Sequence, residues 1–181
     1  MTLKPLFLIG LLACSAGAFA AKQRVLLETP VTYHPDAEVA ESVKRECQVE
    51  AMLTRRVGAA LSGTQATDAA PDADVSLVRL RITHVLGVGG GAWSGPKGIT
   101  VSAEFVENGK VSRQTKVHRW SSGGMFAGFK GTCDILDRSA VAIGRDLSKW
   151  VRDASYKVAD EPPPKAEGEA PPATAPAASG M

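Results

Sequence analysis

The chain is predicted to form a single α+β domain, in the order β-α-β-β-β-α, with a mostly antiparallel sheet and two helices packed on one face. Three observations carry that prediction. Apolar residues recur at helical spacing over 39–61 and again over 133–151. Between these stretches, 75–86 and 99–106 alternate apolar and polar residues, as half-buried strands do. Asn108-Gly109 then separates two such runs, a strong hairpin signal. The domain is placed at 21–156, between an export signal at 1–20 and a disordered Pro/Ala-rich tail at 157–181.

Arg24-Val25-Leu26-Leu27 reads as a first strand stopped at Thr29-Pro30, with its place at the edge or centre of the sheet left open. His34-Pro35-Asp36 reads as the start of the first helix, with Asp36 as its N-cap. In that helix Val39, Val43, Cys47, Leu53, Val57 and Leu61 gather on one side, Val49 and Ala60 at its margin. Lys44, Arg45, Gln48 and Arg55 fall on the other side, and Ser62-Gly63 ends the pattern. Glu50 falls inside the apolar stripe, where a carboxylate needs a partner or an altered pKa. Residues 64–74 are polar, carry Pro71 and read as a loop.

Over 75–86, Val78, Leu80, Ile82 and Leu86 point inward, Arg79, Arg81 and Thr83 outward, and His84 falls on the buried side. The next strand turns Ile99, Val101, Ala103 and Phe105 inward. A three-residue loop, Glu107-Asn108-Gly109, sets Phe105 opposite Val111 and Ile99 opposite Val117. A two-residue Asn-Gly loop would set Phe105 opposite Ser112 and Val101 opposite Lys116, exchanging the faces of the partner strand. The three-residue loop is therefore expected, and it turns Arg113 inward. In the last helix Leu136, Ala140, Ile143, Leu147 and Trp150 share a stripe with Cys133.

The first twenty residues carry Lys4, a short apolar run and an Ala18-Phe19-Ala20 ending, the pattern of a cleavable export signal. Periplasmic localisation is expected. A second reading takes Leu11-Leu12-Ala13-Cys14 as a lipobox, with Cys14 acylated and the product anchored at the outer membrane. Either way Cys47 and Cys133 remain as a pair, and in an oxidising compartment a pair reads as a disulfide. The formal net charge of +2 is far short of a nucleic-acid footprint, so no nucleic-acid partner is expected.

Two glycine- and aromatic-rich stretches flank the hairpin, 87–98 and 121–131. In an antiparallel meander both emerge at one end of the sheet. They would bring Trp93, Lys97, Trp120, Met125, Phe126, Phe129 and Lys130 to one rim. Such a rim suits an envelope protein, a glycan or a membrane surface, with membrane contact only if Cys14 is lipidated. The same aromatics could instead cap the open end of the core. Neither G-x-x-x-x-G-K-[ST] nor G-x-G-x-x-G is met, so no nucleotide cofactor is expected. His34, His84 and His118 lack metal-ligand spacing, and no G-x-S-x-G elbow exists, so no metal and no catalytic residue is assigned. The expected role is a non-enzymatic envelope accessory or binding protein. The alternatives are a small periplasmic hydrolase using Glu50 or His118, and a lipid-anchored outer-membrane assembly component.

The export signal, the paired cysteines and the runs G-G-G-A-W-S-G and G-G-M-F-A-G-F-K-G-T-C together resemble small uncharacterised exported envelope proteins of Gram-negative bacteria, some of them classed as lipoproteins. The resemblance is one of layout and composition over about residues 24–151. It implies a compartment and carries no catalytic motif with it.

Overall fold

The computed structural model describes residues 24–61, 75–87, 96–121, 131–159 and 161. Arg24–Leu27 (β1) and Thr32–Val39 (β2) lie end to end along one edge of Val75–Leu86 (β3), both parallel to it. Lys97–Glu107 (β4) and Lys110–Ser121 (β5) extend the other edge of β3 in antiparallel fashion. The sheet order is β1-β3-β4-β5, with β2 also on β3, so the first strand lies at an edge. Glu41–Cys47 (α1) and Val49–Ala60 (α2) make the crossover to β3, and Thr132–Arg152 (α3) follows β5. The fold is α+β, its five-stranded sheet mostly antiparallel by length of ladder, as expected. It has one strand and one helix more than the expected order.

The extra strand replaces the expected helix start at His34-Pro35-Asp36, which lies within β2. A residue before proline is pushed out of the helical region, so His34-Pro35 favours extended backbone. An edge strand tolerates the missing N–H of Pro35, and the ladder skips from Tyr33 to Glu38 around it. Asp36 caps nothing; its amide donates to His34 Nδ1 at 3.3 Å.

The extra helix arises because the expected 39–61 helix breaks at Gln48, which adopts a left-handed conformation at φ 46°, ψ 54°. The break rephases the apolar stripe. Val49, Met52, Leu53 and Val57 now face the core, and Val49 is wholly buried rather than marginal. Glu50 becomes a half-buried residue in the first turn of α2, where a carboxylate complements the helix dipole. Gln48→Gly should hold the melting temperature, since relief of left-handed strain offsets the extra freedom of the unfolded chain. Gln48→Val should lower stability by ~1–2 kcal/mol in urea titration, because a β-branched residue resists positive φ.

In β3 a bulge between Ile82 and His84 corrects the expected facing. Val85 takes the buried position instead of Leu86, and His84 turns to the outer face, its Nδ1 3.2 Å from Glu38 Oε2. The β4–β5 connection differs from the expected three-residue loop. Glu107 pairs with Lys110 across a two-residue turn in which Asn108 (φ 51°) and Gly109 (φ 72°) are both left-handed. A bulge at Ser112 then slips the register, so Phe105 faces Arg113 and Ile99 faces Arg119, not Val111 and Val117. The bulge keeps Val117 on the inner face, while Val111, expected inward, pairs with Val106 and is exposed. Arg113 does point inward.

The core lies between the sheet and the helices. Val78, Leu80, Ile82, Ile99, Val101 and Val117 are buried against Leu53, Val57, Leu136, Ala140, Ile143 and Leu147. Asp137 ties α3 to α2, accepting from Arg56 Nε at 2.8 Å. That hydrogen bond, with the flanking charges of Arg56 and Arg55, holds the Asp137 carboxyl below its usual range despite its burial. A depressed native pKa contributes stability above the unfolded carboxylate pKa that is lost as pH falls through the native value. Arg56→Met should therefore destabilise at neutral pH, and the gap from the native protein should close in melts taken at progressively more acid pH.

Candidate functional site

The register fixes one end of the sheet as a rim. Leu86 lies opposite Gly98, and Gly98 opposite Trp120, so the end of β3, the start of β4 and the end of β5 stand side by side. One glycine-rich connection joins Gly87 to Pro96, and the other joins Ser121 to Gly131. Both therefore leave from this rim, as the meander predicted. Trp93, Met125, Phe126, Phe129 and Lys130 lie outside the described residues, as does Cys14.

The anchors are tightly built. A Cβ on Gly87 would stand 2.6 Å from a methyl of Val43, so α1 closes directly on the end of β3. A Cβ on Gly98 would stand 2.6 Å from the Trp120 ring, which lies across the β4 backbone. Trp120 also meets His118 edge-on, ring centres 4.4 Å apart, and His118 Nδ1 is hydrogen-bonded to Thr100 Oγ1 at 2.5 Å. Among the described residues the buried Trp120 indole N–H has no hydrogen-bond partner. Gly98→Ala should displace this ring and cost ~1–3 kcal/mol. The same change in a Trp120→Ala background should cost far less, and equal costs in the two backgrounds would show that the ring does not lie there.

Lys97 belongs to β4 and is only 1% exposed. Strand alternation puts it on the inner face beside Ile99, and desolvation pushes its ammonium below the usual lysine range. It is a buried residue beneath the rim, not a presented one. The disulfide is present: Cys47 at the end of α1 joins Cys133 in the first turn of α3, Cα atoms 5.0 Å apart. It ties the exit of the second glycine-rich connection to α1.

Glu50 and His118 do not converge. Tyr33 pairs with Ile82 on the inner face, and Glu50 sits near it; the Tyr33 phenol is pushed up by burial first and by Glu50 next. His118 alternates with the buried Val117 and Arg119 and so lies on the outer face. Among the described residues no three His, Cys, Asp or Glu side chains cluster as metal ligands. Sequence reasoning missed the buried Arg119 and its partner Asp146, whose Oδ2 accepts from Arg119 Nε at 2.6 Å. No spacing rule links a strand arginine to a helix aspartate 27 positions on.

No family model matches the chain, and no curated protein is similar to it. Some solved structures resemble it remotely. The PelC dodecamer from Paraburkholderia phytofirmans is 12% identical over 68% of this chain and 86% of that one, with a TM-score of 0.44. A DUF330 protein from Xanthomonas campestris is 14% identical over 72% and 84%, TM-score 0.44. A minor lipoprotein from Acinetobacter baumannii is 14% identical over 71% and 95%, TM-score 0.33. At this distance no residue role or activity passes to this chain.

Proposed function

We propose that the chain is a non-enzymatic accessory protein of the bacterial cell envelope that binds through the loop rim. The observation that carries this reading is the Leu86–Gly98–Trp120 row, which sends both glycine-rich connections out of one end of the sheet. The disulfide supports an oxidising compartment, in keeping with the export signal read at 1–20. The partner is an envelope protein, a glycan or a membrane surface. Glu50 and His118 stand on opposite sides of the sheet, so the two do not act as one acid–base pair.

The test compares the native protein with a Trp93→Ala, Phe126→Ala variant. Photo-crosslinking in intact envelopes, with sedimentation on peptidoglycan and on anionic vesicles, reads the partner class. The variant is expected to lose crosslinking or sedimentation and keep its melting temperature. Retained binding would overturn the rim, and a large fall in melting temperature would assign the aromatics to the core. Intact mass from envelopes separates a soluble product starting at Ala21 from an acylated one starting at Cys14.

A further inference from the structure

After α3 the chain turns at Asp153, whose carboxylate accepts from the Ser155 amide at 2.8 Å and its hydroxyl at 2.6 Å. Two fixed points then give its direction. At the end of α3, Arg113 of β5 donates to the carbonyl of Trp150 at 2.8 Å. Further along β5, on the way to Ser121, Arg119 donates to the carbonyl of Ala159 at 3.0 Å. The segment therefore runs back along β5 towards the rim.

It is held at several points. Arg119 is 8% exposed and spans three groups: Asp146 through Nε at 2.6 Å, and the His118 and Ala159 carbonyls through Nη1. The other oxygen of Asp146 accepts from the Tyr156 hydroxyl at 3.1 Å. Tyr156, at the expected domain boundary, and Val158, beyond it, pack on the core, and Lys149 Nζ lies 5.8 Å from the Tyr156 ring centre. Beyond Ala159, the Glu161 carboxylate comes within 3.7 Å of Arg119 Nε. Arg119 immediately precedes Trp120, whose ring covers Gly98 at the rim.

We infer that residues 153–159 form a latch that holds Glu161 beside Arg119 at the end of β5, so that a rim partner that displaces Glu161 unlatches Arg119 and loosens the end of β5. The latch stands on its own contacts; only its use by a rim partner rests on the function proposed above. Asp146 is the keystone, because it orients the guanidinium that holds Ala159 and the phenol that packs the segment down.

Limited trypsin digestion of the full chain reads the latch at Lys157, and amide exchange reads residues 117–121. Tyr156→Phe deletes one hydroxyl and keeps the ring. It is expected to speed cleavage after Lys157 by ~tenfold, the scale of one lost hydrogen bond in a local opening. Exchange over 117–121 should rise with it while the melting temperature barely moves. Unchanged cleavage at Lys157 would overturn the latch, and faster cleavage with unchanged exchange would overturn its coupling to β5. If Tyr156→Phe unfolds, Asp146→Asn carries the same two readouts. Neither readout depends on whether Trp93 and Phe126 bind anything, so failure of the rim and failure of the latch are distinguishable.

Discussion

A Cys47→Ala, Cys133→Ala variant is expected to melt roughly 15 °C below the native protein, the consequence of losing ~4 kcal/mol in a domain of this size. The bridge spans 86 positions, so its main effect is on the unfolded chain, which gains loop freedom when the bridge is absent. A local effect adds to this. α1 has seven residues, too few to be stable alone, and its buried residues are Val43 and Cys47. Without the bridge α1 should be the first element to exchange its amides, and the contact of Val43 with Gly87 at the rim should loosen with it. Scanning calorimetry of the variant, and of the native protein under reductant, checks the prediction. A loss under ~1 kcal/mol would mean that the reduced chain is already restricted and would sink the loop-entropy account.

The second large effect is expected at Trp150, where truncation to alanine should cost ~4 kcal/mol in urea unfolding. Trp150 is 4% exposed and meets Phe105 edge-on, ring centres 6.1 Å apart at 76°. The Arg113 guanidinium lies 4.7 Å from the Phe105 ring centre and 5.0 Å from that of Trp150. The same group donates to the last carbonyls of α3, where a cation complements the helix dipole. Arg113→Met alone should cost ~1–2 kcal/mol, and the double variant should fall short of the sum by ~1 kcal/mol because both changes break one contact. Strict additivity would show that the arginine acts through the carbonyls alone.

Arg113 also shows how far a sequence can be read. Facing followed from period two: Ile99, Val101, Ala103 and Phe105 had to share a side, and a register that sets Val117 opposite that side turns Arg113 inward with it. The device that sets the register was not legible. A three-residue loop and a two-residue turn with a bulge give the same parity, and only the left-handed φ of Asn108 with the slip at Ser112 tells them apart. His84 misled for the same reason, since a bulge one residue earlier exchanges faces without any mark in the hydropathy pattern. The break at Gln48 was equally hidden. Glutamine is a good helix former, and its left-handed backbone reflects how α1, α2 and the Cys47–Cys133 bridge must fit together.

The rim divides along the same line. That two glycine-rich connections leave one end of the sheet follows from strand order and chain direction. That Lys97 is buried beneath the rim, while Trp120 lies across Gly98, depends on which side of each strand meets the helices. The α+β class, the two amphipathic faces, the hairpin and the cysteine pair were legible in the residues alone, because they rest on local periodicity and on chemistry carried by single residues. That β1 and β2 share one edge, that the first helix breaks, and that Arg119 reaches Asp146 and Ala159 came only with the folded chain. Those are contacts between segments far apart in the chain, and no local pattern encodes the distance that folding closes.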